Sequence, residues 1–420
     1  MSIQQYLDHM KNIHNLVIDF IDGEEEEEDN DDENFQRIID SIKSRESFKN
    51  RDEWHEILLL INKISKHHHR NHGFFEKIEK ILTFYENETK QTFSNIELFQ
   101  IFKNNKRILL FLFQKEFIIV DENICNFIKK KNNDYNYYFF NFIEEFLSDD
   151  EREEIKKQIG DEDPDIIEEK RQIGENDDYL CYLIREDLVQ EFITFVNQQN
   201  ISVNSNIKES IYETNPLLIK NMPITLIEYA SFFGSIQIFN FLRINNAYLN
   251  PCLCNYAIHS RNAEIIHYLE ENHIIYDNDN YFNFFEESIK CHHNEIVNYV
   301  LDNLIEEKIS DDINNYENEY NMKKAQNNNF LTKLKSIFVK QDENDKKDHI
   351  VKKFLKICIR YHNYEYIPNI SDSNIFLKYY CSFGYTLLVK LFIQENKINI
   401  KEKLIKQAIF FIKQSKHFDL

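Results

Sequence analysis

The stretch TLIEYASFFGSIQIFNFLRINNA, residues 225–247, is the most informative about the fold. It contains Gly234, one of only six glycines in the chain. A glycine in this setting is typical either of a phosphate-binding loop or of the turn between two short helices. A phosphate-binding loop follows a strand and carries a GK[ST] or GxGxxG motif, but no strand pattern precedes Gly234 and neither motif follows it. We therefore interpret Gly234 as a turn residue whose positive φ ends the first helix.

The same pattern recurs along the chain. Copies that start at residues 229, 256 and 287 are spaced by 27 and 31 residues, and two more follow at 357–370 and 379–392. In each copy apolar residues recur at the helical period on both sides of a tight turn, which predicts two short amphipathic helices. Where glycine is missing, residues that tolerate a left-handed conformation stand near the turn: Asn262, His292 and His362.

These residues resemble the ankyrin consensus T-P-L-H-x-A-A-x-x-G-x-x-x-I-V-x-x-L-L-x-x-G-A. The matching positions are Thr225, Ile227, Ala230, Gly234, Ile238, Leu242 and Ala247. The resemblance implies an all-α fold, an ankyrin-type helical-hairpin solenoid that follows a helical N-terminal region. In such an array a small residue lies where the neighbouring hairpin packs, so we expect Ala230 and Ala257 to be buried. The layout is similar to divergent ankyrin proteins that are expanded in some parasitic protists.

The resemblance and the composition together predict the domain organisation. Residues 1–34 are expected to form a helix and an acidic linker, EEEEEDNDDE at 24–33. Residues 35–160 are expected to form a helical domain, with degenerate repeats from about residue 94, where Ser94 and Glu97 form a capping-box pattern. The array itself spans 175–420 after a charged connector at 161–177, with a polar insertion at 303–350.

Charge and cysteine content restrict the class of protein. Fifty basic residues against 72 acidic ones give a net charge of −22, which repels a phosphate backbone and favours a basic protein partner over nucleic acid. Seven scattered cysteines without a CxxC pair indicate a reducing compartment. The most apolar segment, 108–120, is interrupted by Gln114, Lys115 and Glu116, so no membrane insertion is expected. We expect an intracellular, cytoplasmic protein.

The resemblance also implies the contact positions of a binding surface, which in the family are the two residues before the turn. Read across, they are Phe232, Phe233, His259, Ser260, Lys290, Cys291, Arg360, Tyr361, Ser382 and Phe383. Aromatic and arginine side chains dominate binding hot spots. An equally open interpretation is that the aromatic residues among them fill gaps between repeats.

Catalytic and metal-binding patterns are weaker. His67, His68, His69 and His72 lie together, and a His68–His72 pair at i,i+4 would suit Zn²⁺ on a helix. Cys252, Cys254, His259 and His267 suggest a second zinc site, although in the repeat register Cys254 falls at a buried apolar position. No G-x-S-x-G or HExxH motif is present. We predict a non-catalytic protein–protein interaction scaffold without cofactor or metal; the alternative is an enzyme or metal-binding module in the N-terminal region, with the repeats as its targeting arm.

Overall fold

The fold is all-α. The computed structural model describes residues 1–23, 28–131, 133–160, 162–272, 274, 280–305, 344–367 and 374–395. Within these ranges there is no strand, and the only β-type pairing is an isolated antiparallel bridge between Asn206 and Thr225. No helix in these ranges is both long and apolar enough to cross a bilayer. Most of the predicted insertion at 303–350 and all of 396–420 lie outside the described residues.

Among the described residues, twelve α-helices precede residue 175, where the main array was predicted to begin. They are α1 (Ile3–Asp22), α2 (Glu28–Ser44), α3 (Arg51–His67), α4 (Phe74–Phe84), α5 (Glu86–Thr92), α6 (Asn95–Phe102), α7 (Lys106–Gln114), α8 (Glu122–Lys131), α9 (Asn133–Tyr138), α10 (Phe140–Ile143), α11 (Asp149–Ile159) and α12 (Pro164–Ile173).

Twelve more follow. They are α13 (Tyr179–Arg185), α14 (Val189–Gln198), α15 (Pro216–Asn221), α16 (Leu226–Phe233), α17 (Ile236–Ile244), α18 (Leu253–Ser260), α19 (Ala263–Glu271), α20 (Asn280–Lys290), α21 (Asn294–Tyr299), α22 (Asn344–Arg360), α23 (Asn374–Ser382) and α24 (Thr386–Glu395). A π-helical turn, Val300–Ile305, continues α21.

Local sequence signals explain several helix ends. The predicted capping box at α6 is present, since the Glu97 carboxylate accepts hydrogen bonds from the backbone N–H and the hydroxyl of Ser94 at 3.0 and 2.7 Å. The acidic run predicted as a linker is instead helical from Glu28 onward. Carboxylates in the first turns of a helix interact favourably with its dipole, and this interaction offsets part of their mutual repulsion.

The predicted connector at 161–177 also contains a helix, α12. Asp163 caps it by accepting from the N–H of Asp165, Pro164 occupies the first turn, and Gly174 ends it at φ 70°. Arg171 within it is 1% exposed. The charge pattern suggested solvent exposure, but the arginine head finds backbone carbonyl acceptors such as that of Tyr137, at 3.1 Å.

The chain forms two compact units. Unit 1 comprises Met1–Ile64, His68–Phe74 and Ile275–Leu420, and unit 2 comprises Ser65–His67 and Phe75–Ile274. In unit 1, α1 packs against α2 and α24, and α20, α22, α23 and α24 pack in succession. In unit 2, α16 packs against α13, α17 and α18, while α14 packs against α17. The N-terminal helices α1–α3 therefore share a core with the last helices that the structure describes.

Candidate interaction site

Helical hairpins in both units turn through one left-handed residue. The first helices of five hairpins, and α22, which no second helix follows in 363–367, are each followed by a residue with φ between 50° and 87°: Asp187, Gly234, Arg261, His292, His362 and Gly384. At five of these turns the next residue donates its backbone N–H to the carbonyl five residues earlier, as in Ser235 N to Ala230 O at 2.9 Å and Tyr385 N to Tyr380 O at 3.0 Å. This is a Schellman-type helix end, which satisfies the last carbonyls of the helix.

Two details of the turns differ from the sequence expectation. Arg261, not Asn262, adopts the left-handed conformation in the second copy. Asn262 is instead the N-cap of α19 and accepts a hydrogen bond from the N–H of Ile265 at 3.1 Å. In the fourth copy the turn at His362 is present, but residues 363–367 do not form a second helix. The following Pro368 disfavours a helical conformation for Ile367.

Hydrogen bonds link consecutive hairpins at equivalent positions. In each case the donor is the side chain of the residue that follows a left-handed turn residue. The acceptor is a backbone carbonyl in the preceding copy of the pattern, three residues before the left-handed residue of that copy. The three bonds are Ser235 Oγ to Ile184 O at 2.5 Å in unit 2, and Asn363 Nδ2 to Ile289 O at 3.2 Å and Tyr385 Oη to Ile359 O at 2.8 Å in unit 1. Serine, asparagine and tyrosine thus satisfy equivalent backbone carbonyls, although their side chains differ greatly in length.

The ten predicted contact residues divide into two groups by exposure. Four are buried: Phe232, His259, Cys291 and Tyr361. Five are partly exposed (Phe233, Ser260, Lys290, Ser382 and Phe383), and Arg360 is exposed.

The aromatic residues of unit 2 show why burial differs between neighbours. The Phe232 ring stacks on His259 with centroids 4.1 Å apart, so it fills the gap between α16 and α18. Phe233 contacts Tyr229 at 4.8 Å and keeps part of its surface accessible. Within the first-helix face, therefore, Phe232 contributes to packing and Phe233 remains partly exposed.

In unit 1 the exposed members lie beside charged groups. The guanidinium of Arg360 lies 5.4 Å from the ring centroid of Tyr361, and the Tyr361 hydroxyl approaches Glu286 at 3.4 Å. Lys290 pairs with Glu287 at 2.9 Å. This part of the predicted surface therefore carries both signs of charge.

Sequence reasoning missed the equivalent positions of the first hairpin, Arg185 and Glu186. They precede Asp187, whose left-handed conformation was not predicted because aspartate is a weaker turn signal than glycine. Arg185 forms an ion pair with Glu175 at 2.9 Å and reaches the hydroxyl of Tyr229 at 3.3 Å. The sequence property that could have drawn attention to this turn is that aspartate is a preferred helix-capping residue. The Asp187 carboxylate accepts hydrogen bonds from the N–H groups of Gln237 (3.0 Å) and Ile238 (2.9 Å) at the start of the second helix of the next hairpin.

Two buried polar residues of unit 1, Glu56 and His14, have strongly shifted pKa values. Burial raises the pKa of Glu56 to about 8, although hydrogen bonds from Tyr6 and from the backbone of Leu387 act in the opposite direction. Burial also lowers the pKa of His14 to about 3, and the His14 ring lies 2.9 Å from Nδ1 of His292. Perturbed pKa values often mark active sites. Glu56, Tyr6 and His14 are each 0% exposed, however, so a substrate has no access to them in this conformation.

The histidines near residue 68 do not have the predicted helical spacing. Helix α3 ends at His67, and His68 is extended at ψ 155°, so His68 and His72 are not consecutive turns of one helix. The His68 ring contacts the carbonyl of Cys291 at 2.6 Å and the Asp22 carboxylate at 2.8 Å. Both its nitrogens are thus engaged within unit 1, which leaves neither free for a metal ion.

The cysteines are all free. Six of the seven are buried and only Cys252 is exposed. Cys254 is 2% exposed, which agrees with the expectation that it occupies a buried apolar position, whereas the His267 side chain lies at the surface beside Glu270.

No family model, curated protein or solved structure matches this chain.

Proposed function

We propose that the chain is a non-catalytic protein-interaction scaffold, built from divergent ankyrin-type helical hairpins that stack as a solenoid within each unit. The observation that supports this most directly is the repeated hydrogen bond between consecutive hairpins at Ser235, Asn363 and Tyr385. A set of equivalent inter-hairpin contacts is what a stack of structural repeats requires, because each repeat is stabilised chiefly by its neighbours.

The scaffold role follows from where exposed side chains remain. The positions before the turns retain accessible aromatic and charged groups, of which Phe233, Arg360 and Phe383 have the chemistry of interface hot spots. The strongly shifted groups Glu56 and His14 are buried and hydrogen-bonded, so they fit a structural role better than catalysis. With a net charge of −22, the chain favours a basic protein as its partner.

The proposal can be tested by changing this surface alone. Full-length protein and a Phe233→Ser, Phe383→Ser variant would be used as bait for crosslinking and quantitative mass spectrometry. The control variant is Ile244→Ser, because Ile244 is 68% exposed at the end of a second helix. We expect specific partners to be captured by the native chain and the control but lost by the double variant. Capture that is unchanged in the double variant would contradict the predicted surface.

A further inference from the structure

The first helices of unit 2 can be compared residue by residue, because the turns at Asp187, Gly234 and Arg261 set a common register. Eight residues before these turns lie Tyr179, Leu226 and Leu253. Five residues before them lie Tyr182, Tyr229 and Tyr256, so the same residue type occupies this position in all three helices.

Equivalent positions differ sharply in exposure. Leu226, Leu253 and Tyr229 are each 0% exposed, and Tyr256 is 3% exposed. Tyr179 and Tyr182, by contrast, are 53% and 43% exposed. α13 packs against α14 and α16, and the side that bears the two tyrosines is exposed to solvent in the part of the chain that the structure describes. The face that a preceding hairpin would cover is therefore open at this end.

The two exposed rings form an ordered aromatic surface. Their centroids lie 6.1 Å apart with an interplanar angle of 23°. The Tyr179 ring also rests on Phe195 of α14 in a T-shaped contact at 5.2 Å. Because these contacts hold the rings in place, the two tyrosine side chains would lose little conformational entropy when a ligand stacks on them.

Carboxylates lie near the aromatic rings in the chain. Glu186 directly follows α13, one residue after its end, and Glu191 lies in the first turn of α14, four residues before Phe195 and so on the same side of α14 as that ring. Both glutamates are exposed, and no cation among the described residues pairs with either one. The nearest arginine in sequence, Arg185, is already paired with Glu175. We call Tyr179, Tyr182, Glu186 and Glu191 the tyrosine face.

We propose that the tyrosine face binds an arginine-rich segment of a protein partner. A guanidinium group stacks on the face of a tyrosine ring and forms paired hydrogen bonds to a carboxylate, and the tyrosine face contains both kinds of group. A second copy of the chain would bring the same carboxylates together and would add to the repulsion between molecules of charge −22. This inference deepens the proposed scaffold function and rests on it, but it uses none of the predicted contact residues.

The test measures binding of a fluorescent peptide of alternating arginine and glycine by full-length protein, at several salt concentrations. The Tyr179→Ala, Tyr182→Ala variant leaves the charge of the protein unchanged and is expected to bind about tenfold more weakly. Tyr248→Ala is the matched control, because it removes a tyrosine that is 70% exposed elsewhere in unit 2, and it should bind as the native chain does. Glu186→Gln with Glu191→Gln should weaken binding and reduce its dependence on salt.

A lysine–glycine peptide of equal length distinguishes stacking from general attraction to an acidic protein, since lysine lacks the planar guanidinium. We expect the arginine peptide to bind more tightly and only its binding to depend strongly on the two tyrosines. Equal binding of both peptides by the native chain and the tyrosine variant would overturn the inference, as would self-association that disappears in the tyrosine variant. Loss of partner capture by Phe233→Ser, Phe383→Ser with peptide binding retained would support the scaffold and the tyrosine face as separate surfaces. Partner capture and peptide binding that are both retained in this variant would contradict the predicted contact positions alone.

Discussion

The second helices that follow Gly234 and Gly384 begin in the same way but take their capping carboxylate from different places. In unit 2, Asp187 of the adjacent hairpin accepts from the N–H groups of Gln237 and Ile238. In unit 1, Glu56 of α3 accepts from the N–H of Leu387 at 2.7 Å, and Leu387 lies 331 residues further along the chain. Gln237 and Leu387 occupy the same position, three residues after their turns.

The difference shows two ways to stabilise a hairpin. In unit 2 the cap comes from the neighbouring hairpin, as expected where repeats contact only their neighbours. In unit 1 the cap depends on the N-terminal helices, and Leu59 of α3 also lies so close to Gly384 that an added Cβ would be 2.8 Å from its Cδ1. The last hairpin among the described residues is therefore in contact with the first helices, and its stability depends on distant sequence.

The largest expected effect is that of removing the distant cap. Glu56→Ala leaves the buried N–H of Leu387 and the hydroxyl of Tyr6 without their acceptor, so we expect a loss of about 3–5 kcal/mol in the free energy of unfolding. Urea denaturation measures this loss, and hydrogen exchange should show it in α1, α3 and α24. Glu56→Gln keeps a carbonyl acceptor and should cost clearly less. Unchanged protection of α24 in Glu56→Ala would show that the cap contributes little.

A smaller effect is expected from overpacking in unit 2. Ala230 and Ala257 are 0% exposed, as expected for the stacking position. Ala257→Leu should cost about 1–3 kcal/mol, because the packed α16–α18 contact has no room for the larger side chain. Ala263→Leu, at an exposed position of α19, is the control and should be nearly neutral. If Ala257→Leu increased hydrogen exchange in unit 1 as strongly as in unit 2, this would contradict the interpretation that each hairpin of unit 2 is stabilised only by adjacent hairpins.

The stability of unit 1 should also depend on pH. Because burial raises the pKa of Glu56 to about 8 from 4.5, the folded state holds a proton that unfolding releases above pH 4.5. The stabilisation is therefore lost as the pH rises toward 8, by at most about 1.4 kcal/mol per pH unit. The nearby hydroxyls of Tyr6 and Tyr364 do not titrate there, since burial raises their pKa values further, and the negative charge of Asp52 only adds to the shift of Glu56.

At acid pH the stability of unit 1 is expected to change in the opposite direction, so that it decreases as the pH falls. Burial lowers the pKa of His14 to about 3 from 6.5, so its stabilisation is present above pH 6.5 and is lost as the pH falls toward 3. Urea midpoints of the native chain and Glu56→Gln, measured between pH 6.5 and 8.5, isolate the Glu56 effect. The slope should flatten in the variant, and an equal slope in both proteins would assign the pH dependence to another group.

The smallest effect should come from the neighbouring cap. Asp187→Gly removes the carboxylate that caps α17 but suits the left-handed conformation at φ 50°, so it isolates the cap from backbone strain. We expect a loss of about 1 kcal/mol, seen as faster hydrogen exchange at the start of α17. Asp187→Asn keeps a hydrogen-bond acceptor and should lose only the contribution of the negative charge to stability. A loss as large as that of Glu56→Ala would remove the contrast between the two units.

Patterns of short range were predictable from the sequence because they depend on neighbouring residues. The left-handed histidines His292 and His362, the capping box at Ser94 and the buried alanines all follow from helix geometry and small-residue packing. The shift from Asn262 to Arg261 was not predictable, because two adjacent residues competed for the turn and the N-cap position.

The helical character of the chain, the recurrence of its hairpins and the approximate place of each turn could be predicted from local sequence, since helical periodicity and turn residues act over a few positions. The packing of distant segments was needed to show that Glu56 caps a helix at a residue 331 positions further along and that Tyr179 and Tyr182 stay exposed where their equivalents are buried. The physical reason is that an apolar stripe or a carboxylate specifies a kind of contact but not the segment that supplies it. That choice depends on which parts of the chain pack together.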